Sequence, residues 1–136
     1  NIGRGLLMQG TQEWKNYRVT ARLTPHMCEA GGLGIRVQGM TRYYALLISQ
    51  EGARLVRSHE GKDTILASCD QGWKLGHQYE LTLQAKGNKL TAWLNQEKIL
   101  EVEDAEGYYP SGAMALISQV GRIGCDFVEV QPAENS

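Results

Sequence analysis

From Tyr17 onward the chain alternates apolar and polar residues in short runs broken by Gly, Asn, Asp or Pro, the pattern of antiparallel strands. No segment of about ten residues carries a helical stripe. Tyr17, Val19, Ala21 and Leu23 alternate with Arg18, Thr20 and Arg22 until Pro25 stops the run. Between Gly31 and Ser49, Leu33, Ile35 and Val37 point one way and Gly34, Arg36 and Gln38 the other. After the connection from Gly39 to Arg42, Tyr44, Leu46 and Ile48 share one face, and Tyr43, Ala45 and Leu47 share its opposite. Gly52 separates the run 43–50 from Ala53–Ser58, and Glu60-Gly61 separates that from Thr64–Ser68, which predicts successive hairpins. Further on, Tyr79, Leu81, Leu83 and Ala85 alternate, Lys86-Gly87-Asn88 turns, and Leu90, Ala92 and Leu94 run back. Asn95-Gln96 leads into Ile99–Val102, residues 104–112 read as a loop carrying Tyr108, Tyr109 and Pro110, and Ala113–Ser118 and Cys125–Val130 finish the pattern. About ten short strands predict an all-β chain built as a two-sheet sandwich or a barrel.

Length keeps that reading to one domain: 136 residues with 42% apolar content suffice for a core without staples. A formal charge of −1 offers no long-range attraction for nucleic acid or an anionic membrane, so neither is expected as a partner. No apolar run approaches the ~18 residues of a membrane span, and no signal-peptide pattern is present. Cys28, Cys69 and Cys125 lie too far apart for a disulfide framework or a CxxC motif, which fits a reducing, cytoplasmic setting. His26 and Cys28 lack a second ligand pair for a metal. A start at Asn1 rather than Met suggests a piece of a longer chain.

The order Trp14-x-x-Tyr17, GGLGIRVQ, YYALLI, ARLVRS, Trp73-x-x-Gly76, YELTLQAKGNKLTAWLNQEKILEVED, Ser111-Gly112 and CDFVEV resembles the concanavalin A-like lectin/glucanase jelly roll over nearly the whole chain. More narrowly it resembles the branch holding laminin G-like domains, carbohydrate-binding module family 66 and 3-keto-disaccharide hydrolase domains. It also looks like an accessory domain that follows the catalytic domain in bacterial ADP-ribosylglycohydrolase-like proteins. The chain departs from the broader pattern at Asn95-Gln96, where Asp-Gly is common, and at Leu47, where a charged residue often follows YYAL. The resemblance implies a single concanavalin A-like β-sandwich with sugars bound on a concave sheet face or its loop edge. It leaves a structural calcium open, with no cluster of Asp and Asn to name its ligands.

A sugar site needs planar hydrogen-bonding groups for hydroxyls and an aromatic face for the ring. Arg36 and Gln38 supply the first; Tyr43, on the neighbouring strand, and Trp93 supply the second. Trp14 and Trp73 read as plugs at the two ends of the sandwich, and Arg54 and Arg57 fall on opposite faces of their strand. Glycoside cleavage would need two carboxylates across the bond. Glu101, Glu103, Asp104 and Glu106 read instead as a solvated acidic edge, and EVED lacks the E-x-D-x-E pattern of the glucanase relatives. The leading expectation is a non-catalytic carbohydrate-binding or accessory module of a larger, glycoside-hydrolysing protein. A structural domain docking onto its catalytic neighbour and a small glycoside hydrolase stand as alternatives.

Overall fold

The computed structural model describes residues 4–11 and 13–133. Its strands are β1 (Arg4–Gln9), β2 (Tyr17–Pro25), β3 (Ala30–Gly39), β4 (Arg42–Ile48), β5 (Ala53–His59), β6 (Lys62–Cys69), β7 (Tyr79–Lys86), β8 (Lys89–Leu94), β9 (Glu97–Glu103), β10 (Ala113–Gln119) and β11 (Ile123–Pro132). They form two antiparallel sheets, six strands in the order β1-β10-β3-β4-β5-β6 and five in the order β11-β2-β7-β8-β9. Local chemistry sets the hairpins. Asn95 and Gln96 both take positive φ, 52° and 70°, so the pair makes the tight β8–β9 connection even though Gln stands where Gly would be easier. At the β7–β8 turn Gly87, with φ 58°, takes the first central position, where only Gly is unstrained.

The main core lies between the sheets. Val19, Ala21 and Leu23 of β2, Leu81 and Leu83 of β7, and Leu90 and Ala92 of β8 face Leu33, Ile35, Leu46, Ile48 and Leu55 of the six-stranded sheet. Trp73 is buried in this core, and its amide donates to Ser49 at the end of β4. Trp14 packs edge-on to Tyr17 at the opposite end. The alternation expected through β3 breaks at Arg36. That residue has φ 52°, and the register against β10 changes from Gly34↔Ala115 to Val37↔Ala113, so β3 carries one extra residue. The bulge swaps faces: Leu33 and Ile35 enter the main core, while Val37 joins the other side of the sheet.

That other side holds a second buried cluster. Val37, Tyr43, Ala45, Leu47, Val56, Ala113, Ala115 and Ile117 pack together with Leu6 of β1. Small residues let the sheet curl around them; a Cβ on Gly34 would already stand 3.3 Å from Ala115, Ile117 and Val37. The curl brings the two edges of the sheet together. Arg4 of β1 pairs with Asp63 of β6 at 2.9 Å, and it donates to the Tyr43 hydroxyl at 2.9 Å and to Gln119 Oε1 at 3.1 Å. Burial alone would raise the Asp63 carboxyl, but hydrogen bonds from Arg4 outweigh it and hold the group below the usual range.

Removing Arg4 therefore strands a partly buried carboxylate and a buried hydroxyl. Arg4→Met is expected to lower stability by about 1–3 kcal/mol in urea denaturation, with the native far-UV spectrum retained.

Candidate functional site

Arg36, expected to face a ligand, is 3% exposed and turned into the protein. Its Nε donates to Lys15 O at 2.9 Å, Nη1 to the carbonyls of Gly87 and Tyr109, and Nη2 to Asn16 Oδ1 at 3.0 Å. Its backbone N–H donates to the Tyr17 hydroxyl at 2.8 Å, and that hydroxyl lies 2.7 Å from Gly112 O. Gly112, with φ 153°, comes so close that a Cβ there would stand 2.3 Å from the Arg36 carbonyl carbon. One guanidinium thus ties together the loop before β2, the β7–β8 hairpin and the loop before β10. Among the described residues no carboxylate pairs with it, and burial presses the pKa of Arg36 below that of a free guanidinium.

Gln38 donates to Ser111 O at 3.1 Å at the same end of the sandwich. Tyr43 lies beneath Arg4 and is 1% exposed. Leu47 is equally buried, so the curled face presents no apolar patch around it. Trp93 sits on the other sheet altogether. The four expected ligand residues are therefore not brought together into one groove.

The acidic edge also divides. Glu101 is solvated and paired with Lys89 and Lys98, at 3.3 and 3.4 Å. Asp104 is instead 4% exposed and accepts from Tyr44 Oη at 2.6 Å and Arg57 Nη1 at 2.9 Å. Burial would raise its carboxyl, yet Tyr44 and Arg57 hold it below the ordinary value. Tyr108 stacks on Arg57, with the guanidinium 3.9 Å from the ring centre. Tyr109 Oη gives its proton to Ser58 O at 2.7 Å, which leaves its oxygen to accept from His59 Nδ1 at 2.9 Å. The buried groups here, Asp104, Arg57, Tyr44 Oη and Tyr109 Oη, are committed internally, so this cluster anchors the 104–112 loop.

An open polar-aromatic surface lies on the outer face of the five-stranded sheet. Register places Glu129, Thr20, Thr82 and Trp93 in one row across β11, β2, β7 and β8, with Arg22 opposite both Phe127 and Glu80 in the next. A cavity of about 440 Å³ is lined by Arg18, Arg22, Glu80, Trp93, Phe127 and Glu129, among others. Arg18 lies 4.6 Å from the centre of the Trp93 ring and donates to Gln84 Oε1 at 3.2 Å; Arg22 lies 4.4 Å from the centre of the Phe127 ring. Although they point outward, Thr82 and Thr91 are buried at 7% and 4%. Stacking holds a guanidinium flat while its N–H groups project in the ring plane, which orients a donor fork for paired oxygens. Glu80 and Glu129 supply acceptors beside these forks.

Of the expected residues, Trp93 alone belongs to this surface, and it serves as a support for Arg18. Arg18, Arg22, Glu80 and Phe127 were not singled out from the sequence. The signal was present: Arg18, Thr20 and Arg22 are the polar positions of the first regular strand, and once Tyr17, Val19 and Ala21 face the core they must share the outer face.

No family model and no curated protein matches the sequence. Solved structures do match the fold. The carbohydrate binding module CBM66 from Bacillus subtilis superposes with a TM-score of 0.86 at 13% identity, over 96% of this chain and 83% of that one. Sheep galectin-11, in complex with glycerol, gives 0.66 at 12% identity, over 96% and 98% of the two chains. The Caenorhabditis elegans galectin LEC-6 gives 0.68 at 12% identity, over 96% and 92%. The chain thus has the two-sheet jelly-roll fold of these lectin-like proteins.

Two measurements separate the anchoring residues from the open face. Arg36→Met leaves several buried acceptors without a donor and should lower stability by about 2–4 kcal/mol in urea denaturation. The Asp104–Arg57 pair stabilises fully at neutral pH, because the folded carboxyl titrates below its unfolded value of 3.8; that stabilisation is lost as pH falls through the folded value. Asp104→Asn should therefore cost about 3 kcal/mol at pH 7 and flatten the loss of stability measured by acid titration below about pH 4.

Proposed function

We propose that this chain is a non-catalytic carbohydrate-binding domain, the accessory module of a larger glycan-processing protein, with its ligand on the outer face of the five-stranded sheet. The observation that carries this is the pair of stacked arginines, Arg18 on Trp93 and Arg22 on Phe127, beside Glu80 and Glu129. Such forks donate to adjacent hydroxyls, the carboxylates accept from them, and the exposed part of each ring offers an apolar surface to the sugar. Fold likeness to a protein named as a carbohydrate binding module, and to galectins, supports the same reading. The sequence resemblance supports a glycohydrolase of the ADP-ribosylglycohydrolase type as the parent, its catalytic domain being the second partner.

One observation favours docking onto that neighbour as a second reading. Between β1 and β11 the gap between the sheets opens into a cleft of about 390 Å³, lined by Leu7, Leu23, Leu116 and Ile123, and Leu7 is 68% exposed. Apolar exposure of this kind marks contact surfaces.

A glycan array followed by NMR titration decides between the two. Saturable amide shifts across Thr20, Thr82 and Trp93, weakened about fivefold or more by Arg22→Ala, would support the carbohydrate site. Silence on every glycan, with shifts along β1 and β11 on addition of a catalytic domain, would replace it with the docking reading. Release of reducing sugar that Glu80→Gln abolishes would make the domain a glycosidase.

A further inference from the structure

Resting on that reading, we infer that the outer face takes an internal stretch of a neutral glycan chain, several sugars long and laid across the strands, in preference to a single terminal sugar. Two spacings carry this. Trp93 on β8 and Phe127 on β11 are separated by β7 and β2, which puts their strands about 14 Å apart at ordinary sheet spacing. Along β2, Arg18 and Arg22 are four residues apart on the same face, about 13 Å of strand. A single sugar ring cannot touch both arginines or both aromatic residues. A chain laid from the Trp93 side to the Phe127 side engages both, with Thr20, Thr82 and Glu80 beneath its middle.

Charge then selects among chains. Among the described residues that line this surface, Arg18 and Arg22 are matched in number by Glu80 and Glu129. An acidic polysaccharide would meet the two glutamates as well as the two arginines, and gains no field to draw it in. Hydroxyls, which both donate and accept, satisfy both kinds of group. The surface is also a trough with exposed rims rather than a closed pocket, since Arg22, Gln96 and Glu129 are all exposed. A site of that shape does not require a chain end.

The test uses the glycan class returned by the array, titrated as a series from monosaccharide to hexasaccharide by calorimetry, with oligogalacturonate as the charged control. Affinity should rise by about tenfold or more from disaccharide to hexasaccharide and then level off. Phe127→Ala, on an exposed face and checked for an unchanged amide spectrum elsewhere, should weaken the hexasaccharide by about fivefold or more. Bound hexasaccharide should shift amides near both Trp93 and Phe127. A monosaccharide binding within about twofold of the hexasaccharide, or oligogalacturonate binding more tightly in low salt, would overturn the inference and leave the carbohydrate reading intact. Absence of any saccharide effect on the Trp93 and Phe127 rows would overturn both.

Discussion

A buried guanidinium that meets no carboxylate among the described residues organises one end of this molecule. Arg36 owes its inward turn to the extra residue in β3, and its four side-chain hydrogen bonds end on three carbonyls and an amide oxygen drawn from three separate loops. An isolated buried charge is costly, so these oxygens must all stay in place for the charge to be tolerated. The dependence runs both ways: without Arg36 the same carbonyls lose their donor. Tyr17 completes the arrangement by joining the Arg36 amide to the start of β10, where only glycine at 112 allows the approach. A single irregularity in one strand thus aligns both sheets and three connections.

The two outer faces of the sandwich then take different roles. On the six-stranded sheet, alanines and glycines permit tight curvature, apolar side chains fill the hollow, and Arg4 draws the two edges together over Tyr43. The concave surface is spent on the protein's own packing. The five-stranded sheet buries its apolar residues inward and leaves Arg18, Arg22, Trp93 and Phe127 outside, where stacking rather than burial keeps them ordered.

Much of the fold was legible because period-two alternation and Gly, Asn and Asp turns report directly on strands whose one face is buried. Tyr17 to Leu23, the hairpin around Gly87 and the 104–112 loop all read correctly. β1 did not announce itself, since RGLLMQ is short, does not alternate cleanly and gains its meaning from distant Gln119 and Asp63. The site was harder for a related reason. Strict alternation through β3 put Arg36 and Gln38 on a ligand face, and a one-residue bulge, invisible in composition, reversed that placement. Asp104 looked solvated among its acidic neighbours because the partners that bury it, Tyr44 and Arg57, are remote in sequence. Trp93 was singled out from the sequence, but its company on β2 and β11 exists only once the register of three strands is known.

Strand order also governs when the molecule can come into being. β10 lies between β1 and β3, so β1 has no neighbour to join until residues 113–119 have been made. β2 likewise waits for β11 on one side. Only the meander from β3 to β6 and the one from β7 to β9 can assemble from adjacent segments. On a ribosome β1, with its exposed Leu7 and Met8, must wait unpaired until β10 has been made. Closure of the curled sheet by Arg4 then follows the arrival of β10, late in the folding of this sandwich.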